Sequence, residues 1–377
     1  MVNAIHPAGI ARRRVLRLLS GLGLAGHPRA WGQLPAAVER LERDQLLWYV
    51  DEQQQRMPVV EVGQWLQRRQ AIVAAMESVM GTLPGAARRC PLEVKVEDEW
   101  DGGSYVRRSI SYQSEVGCRV PAYLLIPKRL LASGEKAPAI LCLHGTNHTV
   151  GHGSIVGLGD RPNRNYAVEL AERGMVTLAP NYPLLAQYQP DLKALGWRSG
   201  SLKAVWDNQR ALDMLGSLSY VEASRGFGCI GHSLGGHNGI FTAVFDPRIQ
   251  VIVSSCGFDS FRDYYAGDES RWLPEKGWCQ QRYMPELTRY RGRLEEIPFD
   301  FSELIGALAP RRVLVIAPRH DSNFAMASVD RMIQAARPIY ALYRQPDRLR
   351  VEYPDCEHDF PADMRQLAYD FLASSFP

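Results

Sequence analysis

The sequence predicts an α/β architecture: a mostly parallel, twisted sheet with helices on both faces and antiparallel strands at its N-terminal edge. Three observations predict it. Six short apolar runs, at 139–143, 175–179, 227–230, 250–254, 312–317 and 349–353, have the length and composition of strands buried on both faces. Helical patterns separate most of them, including 166–173 and 203–215, as crossovers between parallel strands require. Ahead of these lie runs at 92–96, 105–112 and 120–127, which read as antiparallel strands at one side of the sheet.

The chain has 377 residues, of which 46% are hydrophobic and 23% charged, ordinary values for a globular protein. Its first 32 residues differ from the rest. They hold Arg12, Arg13, Arg14, Arg17 and Arg29 and no acid. The triple arginine precedes a short Leu- and Gly-rich stretch and then Ala30-Trp31-Gly32, a small-x-small cleavage pattern. Residues 1–32 therefore read as a twin-arginine export signal, cut before Gln33, and the protein as periplasmic or secreted; a basic N-terminus on a cytoplasmic protein is the alternative. The full chain carries 44 Lys and Arg against 41 Asp and Glu, a net charge of +3. Five of those cations sit in the leader, so the remainder is slightly acidic. That excludes a nucleic-acid surface as the main partner. No apolar run is long enough to span a bilayer.

Residues 33–90 read as a helical N-terminal extension, two helices broken near Met57-Pro58. Residues 91–377 read as the main domain. Within it, 257–305 is too long for a simple crossover and carries Phe258, Phe261, Trp272, Trp278, Tyr283 and Phe299 among its ten aromatics. It reads either as an insertion with its own small core or as a lid or pocket wall. The seven cysteines are odd in number and lack a CxxC pair. Cys142, Cys229 and Cys256 lie in apolar runs, so they are buried hydrophobes rather than a disulfide framework.

The chemistry is concentrated at Gly231-His232-Ser233-Leu234-Gly235, a G-x-S-x-G pattern. A strand-like run, 227–230, precedes it and a helix-like run, 239–245, follows. That order sets a serine on a sharp strand-to-helix turn, where a side chain at either glycine would collide with its neighbours. A serine hydroxyl is a weak nucleophile at neutral pH. It needs a base within hydrogen-bond reach and an acid to orient that base. His144, His148 and His152 recur every four residues, but Gly145, Gly151 and Gly153 interrupt any helix that would gather them on a metal. His237 reads as a packing residue or pocket lining. No cofactor and no metal is expected.

From about Leu92 to Phe376 the chain resembles the α/β-hydrolase superfamily, most closely its dienelactone-hydrolase-like and acetyl-xylan-esterase-like bacterial serine esterases. The resemblance rests on His144-Gly145-Thr146, Gly231 to Gly236, Val251 to Phe258, Asp321-Ser322-Asn323-Phe324 and Cys356-Glu357-His358-Asp359-Phe360. It implies the chain order serine, acid, histidine. Ser233 is then the nucleophile. His358 follows the last strand as base, and Asp321 follows the strand before it as acid, with Asp259 the alternative acid. The backbone N–H groups of Leu234 and Thr146 become the oxyanion donors. Two departures limit the resemblance. A serine stands where dienelactone hydrolases carry cysteine, and Leu234 stands where acetyl xylan esterases often carry glutamine.

The expected activity is a serine carboxylesterase working through an acyl-enzyme. Its substrate is a small-molecule or carbohydrate ester, by analogy a short acyl group on a plant polysaccharide. A peptidase of the prolyl-oligopeptidase type is the second reading, though no propeller repeat precedes the domain. A non-catalytic hydrolase-like binding protein is the third. Oligomeric state is not legible.

Overall fold

A nine-stranded sheet organises the computed structural model, which describes residues 40–376. The expected export signal at 1–32 lies outside the described residues. The chain opens with a short antiparallel pair, β1 (Trp48–Val50) and β2 (Arg56–Pro58), and helix α1 (Val62–Met80) follows. Three antiparallel strands come next: β3 (Lys95–Asp101), β4 (Tyr105–Glu115) and β5 (Cys118–Pro127), ending in the short helix α2 (Lys128–Ser133). Then strands and helices alternate: β6 (Ala139–Leu143), α3 (Tyr166–Glu172), β7 (Val176–Pro180), α4 (Gly200–Ser217), β8 (Phe227–His232), α5 (Leu234–Phe245) and β9 (Ile249–Ser255). After a long connection come α6 (Phe301–Ala307), β10 (Arg312–Ile316), α7 (Met326–Leu342), β11 (Leu349–Glu352) and α8 (Ala362–Ala373).

The strand order is β11-β10-β9-β8-β6-β7-β5-β4-β3. Every neighbouring pair from β11 to β7 is parallel, and the pairs from β7 to β3 are antiparallel. All nine expected strand runs are therefore present, within a few residues of the boundaries read from the sequence. β6, β7 and β8 are buried at every position, which is why they read as continuous apolar runs rather than alternating ones. The sheet carries the core on both faces.

The segment 35–80 departs from the expected pair of helices. Its first described part is the β1–β2 hairpin, and only its second part is a helix. Trp48-Tyr49-Val50 has strand-forming side chains, and a strand places Tyr49 inward between two half-buried neighbours. α1 begins where Glu61 and Gln64 form a reciprocal capping box. Trp65, fully buried, seats α1 against α6, where Gly306 leaves it room. Two arginines lock this unit down. Arg43 pairs with Asp300 at 2.8 Å and donates to the Ile297 carbonyl, and Arg68 pairs with Glu303 at 3.3 Å while donating to the Gln45 and Trp48 carbonyls. Asp300 and Glu303 are themselves the capping box of α6. The same two carboxylates thus start a helix and hold the N-terminal unit.

Candidate active site

β8 ends at His232, and the chain reverses into α5 through Ser233, whose φ of 56° and ψ of −126° are rarely populated by a non-glycine residue. The Ser233 N–H donates to the Ser255 carbonyl at 2.8 Å, fixing the turn to β9. The glycines are steric requirements. A Cβ on Gly235 would lie 1.9 Å from the Leu143 carbonyl oxygen, and one on Gly231 would lie 2.2 Å from the Gly235 carbonyl carbon. Those contacts bring the start of α5 against the end of β6, and the serine is left facing outward at the carboxyl ends of the parallel strands.

His358 and Asp321 reach Ser233 from the last two βα loops. Ser233 Oγ lies 2.9 Å from His358 Nε2, and His358 Nδ1 lies 2.8 Å from Asp321 Oδ2. A carboxylate only accepts, so Nδ1 carries the proton and Nε2 is free to accept from the serine. Asp321 Oδ1 also accepts from the Asn323 and Phe324 N–H groups, at 2.8 and 3.2 Å, and its side chain is 1% exposed. The histidine loop is braced in turn. Arg164 and Asn163 both bind the Asp359 carboxylate, Arg164 reaches the His358 carbonyl, and Phe360 is buried between Tyr166 and His232.

Asp259 stands apart. It makes no hydrogen bond to His358. Its Oδ2 accepts from the Ala325 N–H at 3.2 Å, so it holds the end of the loop that carries Asp321. Its Oδ1 is buried without a partner among the described residues. Burial pushes its pKa up to about 8; the Ala325 N–H opposes this, and Asp263, Asp300 and Asp321 add to it. The sign of the consequence follows. Between the unfolded value of 3.8 and the folded value of about 8, the unfolded chain has lost this proton and the folded chain keeps it, so stability falls as pH rises. Asp259→Asn removes that linkage and leaves an acceptor for Ala325. The variant's stability advantage over the wild type, read by chemical denaturation, is expected to widen from pH 5 to pH 8 by roughly 1.4 kcal/mol per pH unit. Parallel pH curves for the two proteins would refute an ionisable Asp259 of this kind.

The second wall is the loop after β6. Thr146 lines the same cleft as Ser233, and neither the Thr146 nor the Leu234 N–H finds an acceptor among the described residues. His144 sets the loop. Its Nδ1 lies 2.7 Å from the Gly145 carbonyl, and its Nε2 accepts from the Tyr182 N–H at 3.0 Å. Nδ1 is therefore the protonated nitrogen, and burial pulls the pKa down to about 4, so the ring is neutral. Because a peptide is planar and trans, fixing the Gly145 carbonyl on one side directs the Thr146 N–H to the other.

His144, His148 and His152 are not gathered on one point. His144 is spent on backbone groups, His148 lies at the surface against Arg282, and His152 is buried against Tyr123. His237 is a packing residue. Its ring is stacked between Phe241 and Trp278, and burial lowers its pKa to about 3.

The aromatic segment 257–305 does not form a small core of its own. Phe258, Phe261, Phe299 and Phe301 pack into the main core rather than a separate one. Trp278, stacked on Phe324, continues that packing toward His358, whose ring lies 5.9 Å from Phe324. Tyr283 then touches the loop after β6 directly, its hydroxyl 3.2 Å from Thr146 Oγ1. Tyr182 ties the two together: its N–H is held by His144 and its hydroxyl donates to the Arg282 carbonyl at 2.8 Å.

The cleft over Ser233 has a volume of about 510 Å³. His148, Arg161, Arg164 and Asn323 line it, and the sequence reading singled out none of the last three as site residues. Their only sequence signal is position, in the loops after β6 and β10 that carry Thr146 and Asp321.

Solved structures share this arrangement of strands. A glucuronoyl esterase from Solibacter usitatus superposes with a TM-score of 0.71 at 20% identity, over 90% of this chain and 100% of that one. The chain has the α/β-hydrolase fold. Two further structures with the α/β-hydrolase fold are similar. A glucuronoyl esterase from Caldicellulosiruptor kristjansonii has a TM-score of 0.65 at 17% identity, covering 88% and 90% of the two chains. Acetyl xylan esterase 1 from Thermoanaerobacterium sp. has a TM-score of 0.51 at 17% identity, covering 82% and 93%. A family model described as fungal glucuronyl esterase matches residues 196–343, a span that includes Ser233 and Asp321 but stops short of His358. No curated protein sequence matches the chain.

Proposed function

We propose that this protein is a serine carboxylesterase that cleaves a carboxylic ester of a carbohydrate. One observation carries the reading: Ser233, His358 and Asp321 form a continuous line of hydrogen bonds, at 2.9 and 2.8 Å, that opens on the cleft lined by Thr146. Ser233 Oγ attacks the ester carbonyl while His358 Nε2 takes its proton. Asp321 stabilises the imidazolium that forms, and the Leu234 and Thr146 N–H groups receive the oxyanion. His358 returns the proton to the leaving alcohol. Water then attacks the acyl-enzyme by the same path, and each step conserves charge within the site.

The family match and the similar structures support a sugar on one side of the scissile bond, and the polar lining at His148, Arg161 and Asn323 suits hydroxyl groups. The arginine-rich leader supports delivery outside the cytoplasm, where a polysaccharide would be met. A substrate panel tests the reading. Acetylated xylan places the sugar on the alcohol side, benzyl glucuronate places it on the acyl side, and an aminoacyl-naphthylamide offers an amide instead. Hydrolysis of at least one sugar ester at kcat/KM well above that for the amide is expected. Cleavage of the amide alone would overturn the proposal.

A further inference from the structure

A second cavity, of about 670 Å³, opens at the amino ends of the parallel strands. Arg225 precedes β8, Gln250 lies near the start of β9, Arg312 starts β10 and Arg348 precedes β11. Ser233 follows the far end of β8, six residues and roughly 20 Å away. The two cavities share no lining residue.

The charge of this second cavity is one-sided. Arg69, Arg225, Arg311, Arg312 and Arg348 line it, and no Asp, Glu or His does. Among the described residues none of the five has a carboxylate at ion-pair distance. Asp246, whose charge favours that of Arg311, is itself paired with Arg248 at 2.7 Å. Backbone carbonyls take some of the donors instead: Arg69 binds those of Ala307 and Val244, Arg311 those of Ala243, Asp246, Ile249 and Leu308, and Arg348 that of Pro310. Carbonyls satisfy N–H groups but leave the charge in place. The arginines accordingly feel one another. Arg311 is pulled down to about 10, first by burial and also by Arg69, and Arg312 is lowered by burial and then by Arg348.

Helix-end capping explains why Arg69 and Arg311 are present. It does not explain Arg225, which makes no hydrogen bond among the described residues yet lines the same cavity. Nor does it explain why five arginines line one space with no acid among its lining residues. Between them the cavity offers an apolar floor at Val244, Phe245 and Pro310. A bare inorganic ion would leave most of that volume and all of that floor unused.

We propose that this cavity binds a small organic polyanion with at least two carboxylate or phosphate groups, held by the arginines, its carbon skeleton lying on the apolar floor. Guanidinium forks match both kinds of oxyanion in a bidentate fashion, and the repulsion of Arg311 by Arg69 and of Arg312 by Arg348 is relieved when they share an anion. The site is independent of the esterase reading, because no residue of the catalytic cleft takes part.

The test is thermal unfolding of the full chain at low salt with about 10 mM digalacturonate, inorganic pyrophosphate or glucose. At least one of the two anions is expected to raise Tm by about 3 °C, while glucose does not. Digalacturonate alone would name a carboxylate ligand and pyrophosphate alone a phosphate ligand; either supports the site. The shift should vanish near 0.5 M NaCl, where screening is effective over about 4 Å. Arg225→Gln, at a side chain with no structural hydrogen bond, should weaken binding about tenfold and leave ester hydrolysis unchanged. Arg161→Gln, at an arginine that lines the catalytic cleft, should keep the full shift, which separates this site from the cleft. Stabilisation by neither anion, or an equal shift in Arg225→Gln, would overturn the proposal.

Discussion

Ser233→Ala lowers kcat on an activated ester such as p-nitrophenyl acetate by roughly a million-fold. The size follows from the arrangement. Under the proposed mechanism, removing Oγ takes away the only atom that forms the acyl bond, and His358 then has no hydroxyl to deprotonate. What survives is the polarising effect of the Leu234 and Thr146 N–H groups and simple binding, on the order of a thousandfold over water. The fold should tolerate the change. Ser233 is held at its unusual φ by the Ser255 carbonyl and by the two glycines beside it, none of which involves Oγ. Steady-state kinetics, with unfolding followed in parallel, checks both halves. A fluorophosphonate probe supplies a third reading, since it should label the wild type and leave Ser233→Ala unmodified. Turnover persisting in the variant would sink the nucleophile assignment.

Asp321→Asn lowers kcat by roughly ten-thousand-fold with little change in KM. The substitution is nearly isosteric, and its effect comes from which hydrogen bonds the loop imposes. The Asn323 and Phe324 N–H groups both point at Oδ1, so the amide must turn its oxygen toward them. Its NH₂ is then left at the position of Oδ2, 2.8 Å from His358 Nδ1. His358 Nδ1 also lies 2.9 Å from Oδ1, but that oxygen is shared with two backbone N–H groups, and the NH₂ beside it repels a proton on Nδ1, so the balance shifts toward the imidazole proton on Nε2. In that tautomer Nε2 donates toward Ser233 and cannot take its proton. Asp259 offers no rescue, because its carboxyl is engaged with Ala325 and not with His358. A kcat within tenfold of the wild type would show that another group orients the histidine.

The sheet was legible because burial on both faces leaves a plain trace. Runs such as Ala139–Leu143 and Phe227–His232 are apolar at nearly every position, and the structure buries each of those positions. The meeting of Ser233, His358 and Asp321 was legible for a different reason. A strained turn demands Gly231 and Gly235, and the partners of the serine follow strands at a fixed order in the chain. The N-terminal unit was harder. Its Leu, Gln and Arg content suits a helix, yet the Trp48–Val50 run pairs with Arg56–Pro58 because residues 43–68 are held by carboxylates at 300–303, some 240 positions away. No local pattern carries that information. The same holds for Tyr182 and Tyr283, whose contacts with His144 and Thr146 join segments distant in sequence. The arginine cavity is likewise invisible in one dimension, since its five cations come from α1, the loops before β8, β10 and β11, and the first residue of β10.

The bond between Tyr283 and Thr146, with Tyr182 shared by both segments, has a consequence for how such a protein can change. A wall that only shaped the substrate could be exchanged freely, loop for loop, to suit another ester. Here the segment steadies the loop that carries Thr146, the proposed oxyanion donor. Grafting a new 278–284 segment would disturb the support of Thr146 from behind the cleft lining, so a change there reaches turnover without touching the lining itself. A lineage, or an engineer, seeking a new ester must keep a hydroxyl at 283 or rebuild the support for Thr146 from another quarter.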